Sequence, residues 1–160
     1  MKVINKIEKV LNSPLLSKGL CYVPTHGASK QSIEKEEDLL GKKISKQHRT
    51  LLEKWDGINL EVLRFYGCTK DKETRQISEC QFDLDELDNP IFFASEPAGY
   101  IYVYDKEEKI YLIDTDGWEI TKIATSLEDF ICNYVFGKRA AEFAGDEWFD
   151  EVKAAGLLED

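Results

Sequence analysis

Histidine and cysteine are scarce, and the few present are scattered. The chain has two histidines and four cysteines. Cys21 and His26 are five residues apart, Cys68 and Cys80 are twelve apart, and no C-x-x-C or H-x3-H pair occurs. A structural zinc site needs four N or S ligands in two close pairs, so the cysteines read as small hydrophobes. Neither His26 nor His48 has a nucleophile motif such as G-x-S-x-G beside it. The ten glycines are dispersed, mostly at element ends, so no phosphate cradle is present. Asp114-Thr-Asp116-Gly117 resembles part of a calcium loop, but with Gly117 at the sixth position Leu112 and Ile123 fall where carboxylates are required. The same four residues read better as a hairpin turn. No apolar run approaches the 18 residues of a membrane span. The opening stretch, Met1 to Val10, is charged throughout and lacks a signal-peptide core. The expectation is a cytoplasmic protein with reduced thiols and with no metal, cofactor or catalytic residue. A carboxylate pair could in principle serve as acid and base, but charge-rich loops are ordinarily just solvated.

What is present is enough for a core. The 160 residues are 42% hydrophobic and 11% aromatic, which excludes disorder of the whole chain and fits one domain over residues 1–160. The net charge is −10, a surface that repels phosphate backbones and anionic membranes, so neither nucleic acid nor membrane is an expected partner. The charge is unevenly spread: residues 1–70 carry 13 basic and 8 acidic side chains, whereas residues 71–160 carry 8 basic and 23 acidic.

Periodicity divides the chain into helices, then strands, then helices. Val3, Ile4, Ile7, Val10 and Leu11 form one helical stripe, closed by Pro14. Ser29 is placed to cap a helix containing Ile33, Glu37 and Leu40, with Gly41 as its stop. Ser45 is placed to cap the next, with Leu51, Leu52 and Trp55 inward and Gly57 as its stop. The period then becomes two. Residues 60–66, 77–84, 91–95, 100–104, 109–114 and 118–123 are strand candidates. The charged connection 67–76 is expected to be mobile. Ser126 opens a helix ending at Gly137, and residues 139–153 form a last helical segment. Such segregated runs imply an α+β fold.

Three acidic clusters stand out as a surface for a basic partner: Asp83, Asp85, Glu86 and Asp88; Asp114, Asp116 and Glu119; and Asp146, Glu147, Asp150 and Glu151. Clustered like charge costs folding energy that an opposite surface would relieve, although each cluster read alone is equally consistent with plain solubility. Tyr100, Tyr102 and Tyr104 share one strand face, read first as a sheet face covered by helices. Trp148 and Phe149 are expected to dock on the core.

Residues 33–57 carry a more specific signal: Ile33-x3-Glu37-x2-Leu40-Gly41-x2-Ile44-x6-Leu51-Leu52-x4-Gly57. This segment resembles the SUKH superfamily of cell-wall-assembly regulators and bacterial toxin-immunity proteins, with Ser45, His48 and Asp56 where its pattern has Pro, Tyr and Asn. Pro90–Ala94 with Gly99 and the strand after it, then Ile123-Ala124 with Ser126, Phe130 and Ile131, follow in the family's order. The resemblance covers roughly residues 29–137, leaves 60–89 unmatched, and sets off 138–160 as an acidic helical segment. It implies an α+β fold whose central antiparallel sheet of about five to six strands is backed by helices from both ends of the chain. It also implies a non-catalytic binding protein whose shared residues (Ile33, Glu37, Leu40, Gly41, Leu51, Leu52, Gly57, Gly99 and Phe130) are structural; the expected assembly state is a monomer or weak homodimer. The leading reading is an immunity protein against a basic, nuclease-type toxin domain, and the alternative is a regulatory adaptor binding host proteins.

Overall fold

The computed structural model describes residues 2–71 and 73–158. Helix α1 (Lys2–Asn12) buries Val3, Ile7 and Val10 as its period dictates, and also Lys6, whose ammonium donates to the Leu157 carbonyl. Helix α2 (Lys30–Leu40) starts where the Ser29 hydroxyl accepts from the Ser32 amide at 3.1 Å. It ends on Gly41, whose φ of 68° suits a residue without Cβ. Helix α3 (Lys46–Lys54) starts where Ser45 Oγ accepts from the His48 amide at 3.2 Å. Glu37 ties these helices together: its buried carboxylate accepts from Ile44 N–H and from Arg49 Nη2, both at 2.9 Å.

The sheet is a six-stranded antiparallel meander in chain order. Its strands are β1 (Ile58–Asn59), β2 (Arg64–Phe65), β3 (Ile91–Ser95), β4 (Ile101–Tyr104), β5 (Ile110–Asp114) and β6 (Glu119–Ala124). The fold is thus α+β, with helices from both ends of the chain packed on this sheet. Four aromatic rings and His48 form the seam between the layers. Phe93 lies 5.6 Å from Tyr104 and 5.7 Å from Phe130, Tyr102 lies 4.9 Å from Phe130, and His48 lies 5.5 Å from Tyr104, centroid to centroid. Tyr102 and Tyr104 therefore occupy the helix-covered face, as expected, while Tyr100 just outside β4 remains 36% exposed.

The unmatched stretch 60–89 departs from its strand pattern in two places. Residues 60–66 do not form one strand, because the chain turns between β1 and β2: Leu60 N–H donates to the Leu63 carbonyl, and both side chains are fully buried. Residues 77–84 do not join the sheet. A 3-10 turn (Ile77–Cys80) leads into an extended run in which the Gln81 amide does what a strand backbone would do. It donates to the Phe92 carbonyl at 2.9 Å and accepts from the Phe92 N–H at 2.9 Å. Phe82 then stacks on Phe92 at 4.1 Å, covering the sheet face opposite the helices. The connection expected to be mobile is held at several points. Asp71 Oδ1 accepts from the amides of Glu73 and Thr74 at 2.7 and 2.9 Å. The buried Glu36 carboxylate accepts from Gln76 Nε2 at 2.8 Å and from Ser78 N–H at 2.9 Å.

At the C-terminal end two expected helices are interrupted. Beyond one α-turn (α4, Leu127–Asp129) capped by Ser126, the chain widens into a π-helix (Phe130–Val135), closed by Phe136 N–H donating to the Ile131 carbonyl at 3.2 Å. Gly137 makes this ending feasible, since a Cβ there would lie 2.0 Å from the Cys132 carbonyl oxygen. Residues 139–153 are two helices, α5 (Ala140–Ala144) and α6 (Asp146–Ala154), broken at Gly145. Trp148 docks inward as expected, and its indole N–H donates to the Val135 carbonyl at 2.8 Å.

Two outcomes follow. Gly137→Ala should lower stability by about 1–3 kcal/mol, measured by urea unfolding, because the new methyl displaces the end of the π-helix. Burial pushes the His48 imidazole down to about 3, so between that pH and about 6.5 the unfolded chain binds a proton that the folded chain refuses. Stability is full above pH 6.5 and falls as pH drops below it. In His48→Gln the loss between pH 6.5 and 4.5 should shrink by about 2 kcal/mol, as one titrating group contributes up to roughly 1.4 kcal/mol per pH unit.

Candidate protein-binding surface

The β5–β6 hairpin organises the surface. Asp114 and Glu119 face each other across its last register position, and residues 115–118 form the loop between them. Asp114 Oδ1 accepts from the Asp116 amide at 3.0 Å, so the Asp-Thr-Asp-Gly sequence is a turn, as its spacing suggested. The left-handed residue of the loop is Trp118, at φ 53°, rather than Gly117. A bulky side chain rarely adopts this conformation. Here it lays the indole 5.5 Å from Phe82 while leaving it 51% exposed. Nothing in the sequence periodicity marked Trp118 as more than the first residue of a strand. Its signal was a large apolar residue adjoining an Asp-Gly turn.

Phe82 is also the start of the first acidic cluster. Asp83, Asp85, Glu86 and Asp88 are all exposed, while Leu84 between them is buried. Phe82 is stacked on Phe92 beside Trp118 and the Asp88 carbonyl accepts from Lys106 N–H at 2.8 Å, so this acidic segment runs from beside Trp118 to the β4–β5 connection.

On the helix-covered face, where the helices stop short of the hairpin, a groove of about 390 Å³ opens. Asp114, Glu119 and Thr121 line its sheet side, Tyr100 and Tyr102 its base, and Tyr134, Glu142 and Phe143 its helical side. Tyr102 OH donates to Glu96 Oε2 at 2.8 Å, and burial raises the Glu96 carboxyl above the usual carboxylate range. Arg139 grips Glu142 with Nε at 2.8 Å and Nη2 at 3.1 Å, which holds Glu142 low, and its guanidinium carbon lies 5.2 Å from the Tyr134 ring centre.

The three acidic clusters are therefore only partly united. Asp114 and Glu119 share the groove with Gly145, the residue before Asp146. Asp83–Asp88 lie outside the groove, in the segment that follows Phe82, and Asp116 sits in the hairpin loop. Glu147, Asp150 and Glu151 occupy the exposed side of α6, outside the groove. Among the described residues, none of these carboxylates has a cationic side chain within 4.0 Å. The site-forming residues missed in the sequence are Trp118, Phe82, Tyr134, Glu142 and Phe143; only their placement around one hairpin reveals them.

The residues of the sequence motif lie elsewhere and hold the fold together. Ile33, Leu51, Leu52 and Phe130 are in the core, and Glu37 bridges α2 and α3. Gly41, Gly57 and Gly99 sit at positive φ, and Leu40 is half-buried.

Residues 30–131 match a SUKH family model described as SMI1-KNR4 cell-wall. This stretch is more than half of the chain and includes the hairpin with Trp118, but not Tyr134 or α5, which form the groove's helical side. No curated protein matches the chain. No helix among the described residues is long and apolar enough to cross a membrane. The match spans α2, α3, the whole sheet and the start of the π-helix, and the chain therefore belongs to the SUKH superfamily, whose members act by binding other proteins.

Proposed function

We propose that the chain is a non-catalytic immunity protein that works in the cytoplasm, binding a basic, nuclease-type toxin domain and blocking it. The observation carrying this reading is the hairpin end of the sheet. There two exposed aromatics, Trp118 and Tyr100, stand near Asp114, Asp116 and Glu119, none of which has a cationic side chain within 4.0 Å among the described residues. Tyr and Trp are the residues that most often anchor protein interfaces, and a nuclease must present positive charge to hold its substrate. An acidic inhibitor competes for that same surface and is drawn to it.

The titratable groups furthest from their ordinary values support a non-catalytic role. Burial pushes the Cys68 thiol up to about 12, His48 down to about 3, and the phenols of Tyr102 and Tyr104 upward. Each is thereby kept neutral and packed in the core, the opposite of a poised acid or nucleophile. The description of the matched family as cell-wall favours a second reading, a regulatory adaptor that presents the same surface to a host protein.

The test is capture of partners by the full chain, followed by growth rescue when chain and captured toxin are expressed together. Association should slow at least tenfold as salt rises from about 20 to about 500 mM, because encounter of opposite charges is screened. Trp118→Gly, which relieves the left-handed backbone, should leave stability within about 1 kcal/mol and weaken binding at least tenfold. A captured partner whose association ignores salt would remove the electrostatic basis of the reading. A host regulator captured without any toxin would replace immunity with the adaptor role.

A further inference from the structure

We propose that the groove beside the β5–β6 hairpin is a receptor for one arginine side chain of the partner. The inference rests on the reading of a basic protein partner and specifies how part of that partner is recognised. The groove is concave and about 390 Å³, suited to a side chain rather than to a folded element. Its walls are aromatic: Tyr100 and Tyr102 below, Tyr134 and Phe143 to the side. Its rim places Asp114 and Glu119 directly opposite each other on neighbouring strands, an arrangement of like charges that is unfavourable until a cation lies between them. The two carboxylates project from the same sheet face as Tyr102 and Leu112, since residues two apart on a strand share a face. A cation held by them therefore lies on the side of the sheet where Tyr100, Tyr102 and Tyr134 also line the groove.

The fold already uses this chemistry next door. Arg139 lies over Tyr134 while binding Glu142 through two N–H groups. A planar guanidinium satisfies both demands at once: it stacks on a ring and offers parallel donors to carboxylate oxygens. The ammonium of lysine is a compact, strongly hydrated charge that meets only the second. A hard metal ion would require about six oxygens, and the groove offers two carboxylates without a cation, one of them already accepting from the Asp116 amide, set among rings. An arginine of the partner is thus the occupant that fits both the charge and the walls.

The experiment is a heteronuclear NMR titration of the full chain with Nα-acetyl-arginine amide, with the lysine and the uncharged citrulline analogues in parallel. Saturable shifts are expected at the amides of Tyr100, Thr121 and Phe143, with a dissociation constant on the order of 1 mM. The lysine analogue should bind at least threefold more weakly, and the citrulline analogue should produce no saturable shift. The double variant Asp114→Asn/Glu119→Gln should weaken binding at least tenfold. Tyr100→Ala, which removes only an exposed ring, should weaken it at least threefold. An equal response to citrulline, shifts confined to Asp83–Asp88, or binding unaltered in both variants would overturn the proposal. A partner protein whose binding fails with Trp118→Gly but is untouched by the groove variants would sink the groove and leave the protein-binding reading standing. Arginine bound in the groove of a chain that captures no basic protein would do the reverse.

Discussion

The two layers of this molecule meet along one aromatic seam, and the position of that seam decides what is left uncovered. Tyr104, Phe93, Phe130 and Tyr102 pack in series, each ring centre within about 6 Å of the next, with His48 against Tyr104. Rings of this size bury large areas and hold definite mutual angles, so the helices are fixed over the middle of the sheet. The helical cover thins toward the strand ends where Tyr100, Asp114 and Glu119 lie. On the other face Phe82 and Gln81 cover β3 but leave the Trp118 indole half in solvent. The hairpin end is therefore exposed because of where the core is, rather than because its own residues avoid burial.

Polar residues are divided between two jobs. Glu36 and Glu37 are buried and engaged: one ties the 76–78 loop to α2, and the other joins α2 to α3. Buried carboxylates are costly unless their acceptors are filled, and both are filled by backbone amides and polar side chains of the fold. In the hairpin Asp116 and Glu119 are exposed, Asp114 is half-buried, and none of the three has a cationic side chain within 4.0 Å among the described residues. Their mutual repulsion is a small, tolerated cost in water, and it becomes a source of attraction when a basic surface approaches. The same side-chain chemistry thus serves cohesion inside and recognition outside, the difference being access to solvent.

Much of the fold was legible in the residues. The stripe of α1, the serine caps at 29, 45 and 126, the Gly41 stop and the strands from 91 onward all lie where periodicity and capping put them. The failures share a cause. Residues 60–66 and 77–84 alternate like strands, yet one turns on the Leu60–Leu63 hydrogen bond and the other is replaced in its pairing by the Gln81 side chain. Alternation records only that one side of the chain is buried, and an extended segment lying on a sheet is buried in that same way. The helical period over 139–153 likewise says nothing of the break at Gly145, where φ is 93°. The candidate site was legible as charge and not as shape: the acidic clusters could be read, but their relation to Trp118, Phe82 and Phe143 could not.

The sequence by itself determined most of the element types, the serine caps, the family and the excess of negative charge after residue 70. These depend on interactions between residues a few positions apart, or on composition, and both are written along the chain. Only the tertiary structure decided that Asp114 and Glu119 share a groove with Tyr134 and Phe143, and that Trp118 rests on Phe82 while half exposed. Those relations join residues 15 to 36 positions apart. They are set by which faces of helix and sheet pack together, and side-chain periodicity fixes a face without fixing its partner.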